Sequence, residues 1–451
     1  MGLLNGIELQ PFQKIGAQNV ASNFHHLLAD EPGLGKTLQI LAAVAFHKFK
    51  RSAVVCPAGV RSHWKDTIKR VGLSLDNFHV DSYEAATNGK FPAGPYDCII
   101  PDEAHYLKNA DSLRTQALFG NELGLARQAR FKWPLTGTPF LKRPREVYPV
   151  LKCLHEPALL KAGIKNFDDY AHRFCGSHWD GREFNTKGAT NLDQLRELMG
   201  SFMTRRTVDE VMPELPPILL SKIGLELTAD ERAPIDEIEK EILNREAFMS
   251  SVREDYSSMG DSARIRRATG EAMAKQAAEF IDEKINCGAG KVVVFFRHTA
   301  VGRILERELG HRFPVFFAGG MSDAQKDKAK RTFMEKDGDC EVFLGQMQAS
   351  GTGIDGLQTC CHTVVDVEPD WVTEDMRQRF ARLRRMGMDL GRPVNAYILY
   401  VPGTIQAAII EVNVREAKTI EKLVKVSAVH SGIKRLDEFQ KAEIDELMGD
   451  L

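Results

Sequence analysis

The chain contains 451 residues, of which 43% are hydrophobic and 27% are charged, with 60 lysines and arginines against 62 aspartates and glutamates. This length predicts roughly two to four domains, and the composition excludes a mainly disordered or collagen-like chain. The net charge of -2 argues against a protein that holds nucleic acid by bulk positive charge.

Two further patterns concern the cellular compartment. No apolar run approaches the ~18 residues of a membrane span, so we expect no membrane-spanning segment. The eight cysteines form no CxxC pair, and a chain of this length can bury a core without disulfides. Free thiols in a reducing cytosol are therefore expected.

Two regions of the chain repeat one pattern, in which short apolar strands are followed by polar turns and helical segments. The predicted strands of the first region are 52–56, 96–101 and 131–135, and those of the second are 291–296, 315–317, 340–344, 363–367 and 394–401. Continuous apolar strands that alternate with helices are typical of parallel sheets covered on both faces. We therefore predict an α/β fold with two lobes that are joined and decorated by helical segments.

The domain boundaries follow from the same pattern. The first lobe is predicted at 1–217 with a helical insertion at about 141–204, a helical linker at 218–285, the second lobe at 286–426 and a C-terminal helix at 427–451. A capping box of Thr228 and Glu231 favours a helix start within the linker.

A glycine-rich segment precedes a helical pattern in the first lobe and consists of Gly33, Leu34, Gly35, Lys36 and Thr37. Backbone N–H groups of such a loop and of the following helix N-terminus bind phosphates, so Lys36 would reach the β- and γ-phosphates and Thr37 the Mg²⁺. Asp30 stands where the strict Walker pattern has its first glycine. Taken by itself, the segment could therefore also be a glycine-rich turn that enters a helix.

Two adjacent carboxylates follow the apolar strand 96–101. Asp102 and Glu103 are placed as metal-assisted phosphoryl transfer requires, with Asp102 on the Mg²⁺ and Glu103 as the base for the attacking water. The alternative is a charged helix N-terminus. That alternative weakens because both motifs occur in the expected order.

The order of these motifs resembles the Swi/Snf-like branch of superfamily 2 helicase-type ATPases, and most nearly its annealing-helicase subgroup. The resembling segments are Leu9–Gln13, Ala29–Thr37, Val54–Pro57 with Trp64, Asp102–His105, Leu135–Pro139, Tyr170–Cys175, Gly188–Leu192, Arg205–Thr207 with Leu215–Pro217, 291–296, Ser350–Asp355, Gln378–Gly387 and Val401–Ile405. Lys142, Asp355 and Met388 depart from the pattern of the branch.

The resemblance implies two RecA-like lobes with parallel sheets, and it implies roles for further residues. Gln13 is implied to contact the adenine base, and Gln378 the nucleotide. The nucleic-acid contacts that it implies are Pro57, Thr136, Gly137, Thr138, Ser350 and Gly351.

Arg382 and Arg385 belong to the last of the catalytic motifs. They are three residues apart, so on a helix both guanidinium groups would face one direction and could brace the transferring phosphoryl group. The alternative is a basic helix face that touches only the phosphate backbone of nucleic acid. Because both arginines lie in the second lobe, hydrolysis of ATP is expected at the interface of the two lobes.

The leading hypothesis is an ATP- and Mg²⁺-dependent DNA translocase that moves along, remodels or re-anneals duplex or forked DNA without sequence preference. The alternatives are a strand-separating DEAH-type helicase on DNA or RNA and a catalytically silent nucleic-acid-binding scaffold. We expect a monomer in the cytoplasm of a bacterium or a virus-infected cell, associated with the nucleoid when bound to DNA.

Overall fold

The computed structural model describes residues 5–120, 124–137, 143–179, 181, 184–200, 202–241, 259–350, 354, 356–370 and 373–410. The chain divides into two compact units, 5–212 and 213–410 within these residues. The main sheet of each unit is parallel and is accompanied by helices, which confirms the predicted α/β fold class. Among the described residues, no helical segment combines the length and the hydrophobicity that a membrane span requires.

The first unit contains a parallel sheet with the strand order β3-β2-β4-β5. Single bridges from His25 to Lys132 and from Leu28 to Leu135 continue it to β1, which pairs in parallel with β8. The strands are β1 (Leu27–Leu28), β2 (Ser52–Cys56), β3 (Phe78–Ser82), β4 (Tyr96–Pro101), β5 (Ala129–Lys132), β6 (His178–Trp179), β7 (Phe184–Asn185) and β8 (Met203–Thr204). The helices are α1 (Pro11–Ala21), α2 (Lys36–His47), α3 (Arg61–Arg70), α4 (Tyr83–Thr87), α5 (Leu113–Phe119), α6 (Tyr148–Lys161), α7 (Phe167–Phe174), α8 (Leu192–Gly200) and α9 (Val208–Val211).

The second unit contains a six-stranded parallel sheet with the order β11-β12-β10-β13-β14-β9. Its strands are β9 (Ile218–Gly224), β10 (Lys291–Phe296), β11 (Val315–Phe317), β12 (Val342–Gln346), β13 (Cys361–Asp366) and β14 (Val394–Tyr400). Its helices are α10 (Ala229–Glu241), α11 (Met259–Lys284), α12 (Thr299–Glu308), α13 (Asp323–Met334), α14 (Met347–Ser350) and α15 (Thr373–Phe380).

The segment 218–285 differs from the helical linker that the sequence predicts. Its first seven residues form β9, which pairs with β14 along its whole length and so completes one edge of the second sheet. The predicted capping box is present, since the backbone N–H of Thr228 donates to Glu231 Oε2 at 2.9 Å and α10 begins at Ala229. Strand pairing with residues 176 positions away, as between Ile218 and Val394, decides the conformation of β9, and no local pattern encodes that partner.

The cores of the two sheets follow the apolar strand runs. In the first unit Ile40, Val44, Val54, Trp64 and Ile100 belong to one buried hydrophobic cluster. In the second, α11 presents Met273, Ala277 and Ile281 to Val292 and Val365 of the sheet. Residues four apart share one helix face, so the apolar stripe of α11 holds this helix against the second sheet. The predicted C-terminal helix at 427–451 lies outside the described residues.

Candidate nucleotide site

The motif residues of the first unit lie where its parallel strands end. Asp102 follows β4 and its backbone N–H donates to the carbonyl of Val55 at 2.8 Å, while Thr136 N donates to Leu28 O at 3.1 Å. Ala104 N donates to the carbonyl of Leu135 at 2.8 Å. The carboxyl ends of adjacent parallel strands form one edge, which is where ligands bind in α/β sheets.

The glycine-rich loop connects β1 to α2. Gly33 and Gly35 have φ of 93° and 71°, and Gly35 is the residue that precedes the first turn of α2. Successive backbone N–H groups in such a left-handed turn, together with a helix N-terminus, attract anions. Leu34 is fully buried, and its carbonyl accepts bonds from Gln13 Nε2 at 3.2 Å and from Gln39 Nε2 at 3.1 Å. The loop backbone is therefore held from two helices.

Lys36 is the first residue of α2 and points back into the loop. Its Nζ donates to the carbonyl of Asp30 at 2.8 Å and to that of Glu31 at 3.4 Å. Burial lowers the pKa of the Lys36 ammonium group, and the carboxylates of Glu103, Asp30 and Asp102 oppose this shift. An ammonium group in this position can reach a phosphate at the loop by exchanging two carbonyl bonds for phosphate oxygens.

Gln13 lies on α1 and is only 1% exposed. Its Nε2 donates to Leu34 O, and its Oε1 accepts the backbone N–H of Gln10 at 3.0 Å. The side chain therefore braces the glycine-rich loop. The predicted contact with adenine stays a prediction.

The carboxylate of Asp102 is held from two directions. Trp64 Nε1 donates to its Oδ2 at 2.7 Å, and the backbone N–H of Glu103 donates to its Oδ1 at 3.0 Å. Burial and the neighbouring Glu103 carboxylate raise the pKa of Asp102 to about 6, against the effect of Trp64 and Lys36. Two partly buried carboxylates that repel one another fit a divalent cation, which relieves the repulsion.

The donor set matches the way in which Mg²⁺ is usually held at phosphates. One or two carboxylates with phosphate oxygens and water are sufficient for this ion. Within the part of the chain that the structure describes, no group of three or more His, Cys, Asp or Glu side chains could hold a metal. Asp102 and the hydroxyl of Thr37 would therefore act together with the phosphates of a bound nucleotide.

Glu103 has a left-handed backbone conformation, with φ of 52°. Such a conformation costs free energy for a residue with a side chain, and residues that keep it are concentrated at functional sites. His105 Nδ1 lies 3.3 Å from Glu103 Oε2 and 3.1 Å from Thr136 Oγ1. Thr136 is only 2% exposed, and its hydroxyl links the two motifs through His105, while its predicted contact with nucleic acid stays a prediction.

The other predicted nucleic-acid contacts fall into two groups. Pro57 and Gly137 are buried at the same strand edge, and the Gly137 carbonyl accepts a bond from Arg205 Nη1 at 3.0 Å. Ser350 is the last residue of α14. Thr138 and Gly351 lie outside the described residues. Their contacts with nucleic acid stay predictions.

Arg382 and Arg385 do not lie on a helix, contrary to the prediction. Helix α15 ends at Phe380, and the chain continues in turns with Arg382 N donating to Arg379 O at 3.1 Å and Met388 N to Arg385 O at 3.1 Å. The two arginines therefore do not share a helix face. Their predicted role at the phosphoryl group stays a prediction.

Two other arginines of this motif form buried hydrogen bonds, one within α15 and one in the turns after it. Arg379 is 3% exposed, and its Nη2 donates to the fully buried Asp366 at 2.8 Å. Arg384 donates to the carbonyls of Pro216 at 2.7 Å and Leu215 at 3.1 Å. These bonds draw the chain towards the segment before β9. Gln378 is 8% exposed, and its Nε2 has no hydrogen-bond partner among the described residues.

Three residues that build this site were assigned no role in the sequence analysis. Trp64 is the donor to Asp102, Arg205 donates to Ala29 O at 2.8 Å, and Arg206 forms an ion pair with Asp30. Arg205 and Arg206 were noted only as part of a segment that resembles the family. Their partners are more than 60 residues away along the chain, so no spacing rule identifies them.

Comparisons with known proteins agree with the motif order. The model of the SNF2-related domain matches residues 17–92 and 86–267, and that of the helicase conserved C-terminal domain matches residues 276–387. The chain is similar to the human "DNA annealing helicase and endonuclease ZRANB3", with 26% identity over 88% of this chain and 39% of the relative. It is also similar to the "SWI/SNF-related matrix-associated actin-dependent regulator of chromatin subfamily A-like protein 1" of Xenopus tropicalis, with 27% identity over 88% of this chain and 43% of the relative.

A solved structure, "Sulfolobus solfataricus SWI2/SNF2 ATPase core in complex with dsDNA", aligns over 94% of both chains with a TM-score of 0.43 and 17% identity. The chain spans about two fifths of the length of the curated relatives named above. The SNF2-related model covers more than half of the chain, and the resemblance read from the motifs is confirmed. The chain therefore belongs to the SNF2-related family of helicase-type ATPases.

Proposed function

We propose that the chain hydrolyses ATP at the glycine-rich loop of the first unit and uses the energy to move along or remodel duplex or forked DNA. The observation that carries the proposal is the convergence of Lys36, Asp102 and Glu103, whose charges act on one another at one sheet edge. These are the cation, the metal ligand and the base that phosphoryl transfer to water requires.

Each of these side chains has a defined task in the proposed reaction. When bound, Mg²⁺ neutralises charge on the β- and γ-phosphate oxygens. Asp102 and Thr37 would hold the ion, and Lys36 would bind the phosphates after leaving the carbonyls of Asp30 and Glu31. Glu103 would orient the attacking water and accept its proton. His105 supports this role because it lies 3.3 Å from Glu103 Oε2.

Support for DNA as the partner comes from family membership and from the names of the relatives, which describe a DNA annealing helicase. The net charge of -2 fits a motor with local phosphate contacts better than one with a strong bulk attraction to DNA. We expect binding that is independent of sequence and sensitive to salt. Participation of Arg382, Arg385 and Gln378 of the second unit in the reaction is part of the proposal.

The decisive experiment is the rate of ATP hydrolysis without nucleic acid and with duplex DNA, forked DNA, single-stranded DNA or RNA. We expect the largest stimulation with duplex or forked DNA. Stimulation by RNA only would replace the proposal with an RNA helicase, and DNA binding without any hydrolysis would favour a silent scaffold.

A substitution connects this activity to the site. Glu103→Gln removes the base and keeps the shape of the side chain, so turnover should fall by at least about 100-fold while ATP binding persists. The matched control is Glu84→Gln, because Glu84 is an exposed residue in the first turn of α4. Normal turnover in Glu103→Gln would remove Glu103 from the role of base.

A further inference from the structure

Asp30 occupies the position of the first Walker glycine, and its carboxylate is completely buried. Arg206 donates to both oxygens, from Nε to Oδ1 at 3.0 Å and from Nη2 to Oδ2 at 2.5 Å. Gln39 Nε2 adds a third bond to Oδ2 at 3.0 Å. A two-point arginine–carboxylate pair fixes orientation as well as distance.

The same arginine reaches α1 and α2. Its Nη1 donates to the carbonyl of Phe12, its Nη2 donates to Gln39 Oε1 at 2.8 Å, and its guanidinium carbon lies 5.5 Å from the centre of the Phe12 ring. Gly16 of α1 allows this approach, because a Cβ there would lie 1.9 Å from Gln39 Oε1 and 2.4 Å from Arg206 Nη2. The guanidinium group thus joins the start of α1, the glycine-rich loop and α2.

The backbone segments that flank Asp30 and Arg206 are also joined to each other by hydrogen bonds. Glu31 N donates to Arg206 O at 3.0 Å, Ala29 N donates to Thr204 O at 2.7 Å, and Val208 N donates to Glu31 Oε2 at 2.8 Å. From the opposite side Lys36 Nζ binds the carbonyl of Asp30. The side chain of Asp30 is therefore held by Arg206, while its carbonyl is held by the lysine that would bind phosphate.

We propose that Asp30 and Arg206 form a positioning pair that sets the place of the glycine-rich loop and of Lys36 for nucleotide binding. This inference rests on the proposed function, in which that loop binds ATP. Burial of an ion pair contributes little net stability compared with an apolar pair of similar volume. The pair is therefore better explained by orientation, because it fixes the loop between α1 and α2 at two points.

Measuring both the KM for ATP and the urea midpoint of unfolding separates an effect on the position of the loop from an effect on the stability of the fold. Asp30→Asn and Arg206→Met each leave one partner buried without its counterion, so both should lower the urea midpoint and raise the KM for ATP. The double variant Asp30→Asn/Arg206→Met removes both charges. We expect its urea midpoint to return towards that of the wild type, while KM stays at least about tenfold higher, since a displacement of ~1 Å at a reacting group costs up to about 100-fold.

A matched control removes a partly exposed ion pair in the second unit. Arg312 donates to Asp282 at 2.7 Å and to Glu341 at 3.0 Å. Asp282→Asn/Arg312→Met should leave the KM for ATP unchanged.

The outcomes distinguish the two proposals. A folded Asp30→Asn/Arg206→Met variant with the wild-type KM would show that the pair only stabilises the fold, and would overturn the positioning role. If the double variant does not fold, Arg206→Lys decides, because lysine keeps the charge but loses the two-point geometry. An unchanged KM in Arg206→Lys overturns the inference, and a raised KM with an unchanged urea midpoint supports it. A wild-type chain that binds no ATP would refute the proposed function and this inference together.

Discussion

Loss of the hydrogen bond from Trp64 to Asp102 should lower the free energy of unfolding by an amount that depends on pH. Trp64 is fully buried, and its Nε1 donates to Asp102 Oδ2 at 2.7 Å. Trp64→Phe keeps an aromatic ring at this position and removes the donor. The variant therefore loses some packing at every pH, and in addition loses a hydrogen bond whose strength depends on the charge of Asp102.

The magnitude follows from the raised pKa of Asp102, which is about 6 in the folded chain against 3.8 without the fold. Between these two pKa values Asp102 is protonated in the folded chain and ionised in the unfolded chain. The contribution of Asp102 to stability therefore falls by about 3 kcal/mol as the pH rises from 4 to 6. At pH 8 the variant loses a bond to a charged acceptor, about 1.5–3 kcal/mol, and at pH 5 a bond to a mostly neutral one, about 0.5–1.5 kcal/mol. The destabilisation should thus be larger at pH 8 by about 1 kcal/mol.

The assay is the free energy of unfolding in urea at pH 5 and pH 8, with EDTA and without nucleotide. Trp133→Phe is the matched control, because Trp133 is also fully buried but its Nε1 donates to the backbone carbonyl of Asn23 at 2.9 Å. That acceptor does not titrate, so the control should be destabilised equally at both pH values. An equal loss at both pH values in Trp64→Phe would refute the pKa assigned to Asp102.

Two further predictions concern the loop and the acid stability of the first unit. Gly35→Ala should weaken ATP binding at least about tenfold, measured with a fluorescent nucleotide, because φ is 71° and the new Cβ would lie 2.5 Å from Gln13 Nε2. Gly89→Ala is its control, with φ of 66° and no atom within 4 Å; equal affinities in the two variants would contradict the contact argument. Burial lowers the pKa of His26 to about 4, so its contribution to stability is lost as the pH falls from 6.5 to 4, by about 3 kcal/mol. His26→Gln should therefore lose less stability than the wild type between pH 7.5 and 4.5 in urea titrations, and parallel curves would disprove this assignment.

The local motifs were accessible from the sequence because each is a contiguous run. Lys36 follows Gly35 at the start of a helix, and Asp102 follows the apolar strand β4. Their chemistry depends on residue type and on the turn that the run itself forms. The parallel α/β class was accessible for a similar reason, since continuous apolar strands alternate with helices.

The errors of the sequence-based predictions share a cause. The run Ile218–Gly224 was assigned to a helical linker, yet it forms a strand because β14 offers it a sheet edge. Arg382 and Arg385 were placed on a helix, yet α15 ends at Phe380, and bonds from Arg384 to the carbonyls of Leu215 and Pro216 hold the turns that follow. In each case a partner distant in the sequence outweighs the local pattern.

The amino-acid sequence was sufficient to predict the residues proposed for the chemistry, the order of their motifs, and the α/β class, and the structure confirms the α/β class. The tertiary structure decided which side chains meet. Arg206 and Asp30 are 176 positions apart, and Trp64 and Asp102 are 38 apart. These contacts depend on which strands pair, β1 with β8 and β2 with β4, and no spacing along the chain encodes that pairing.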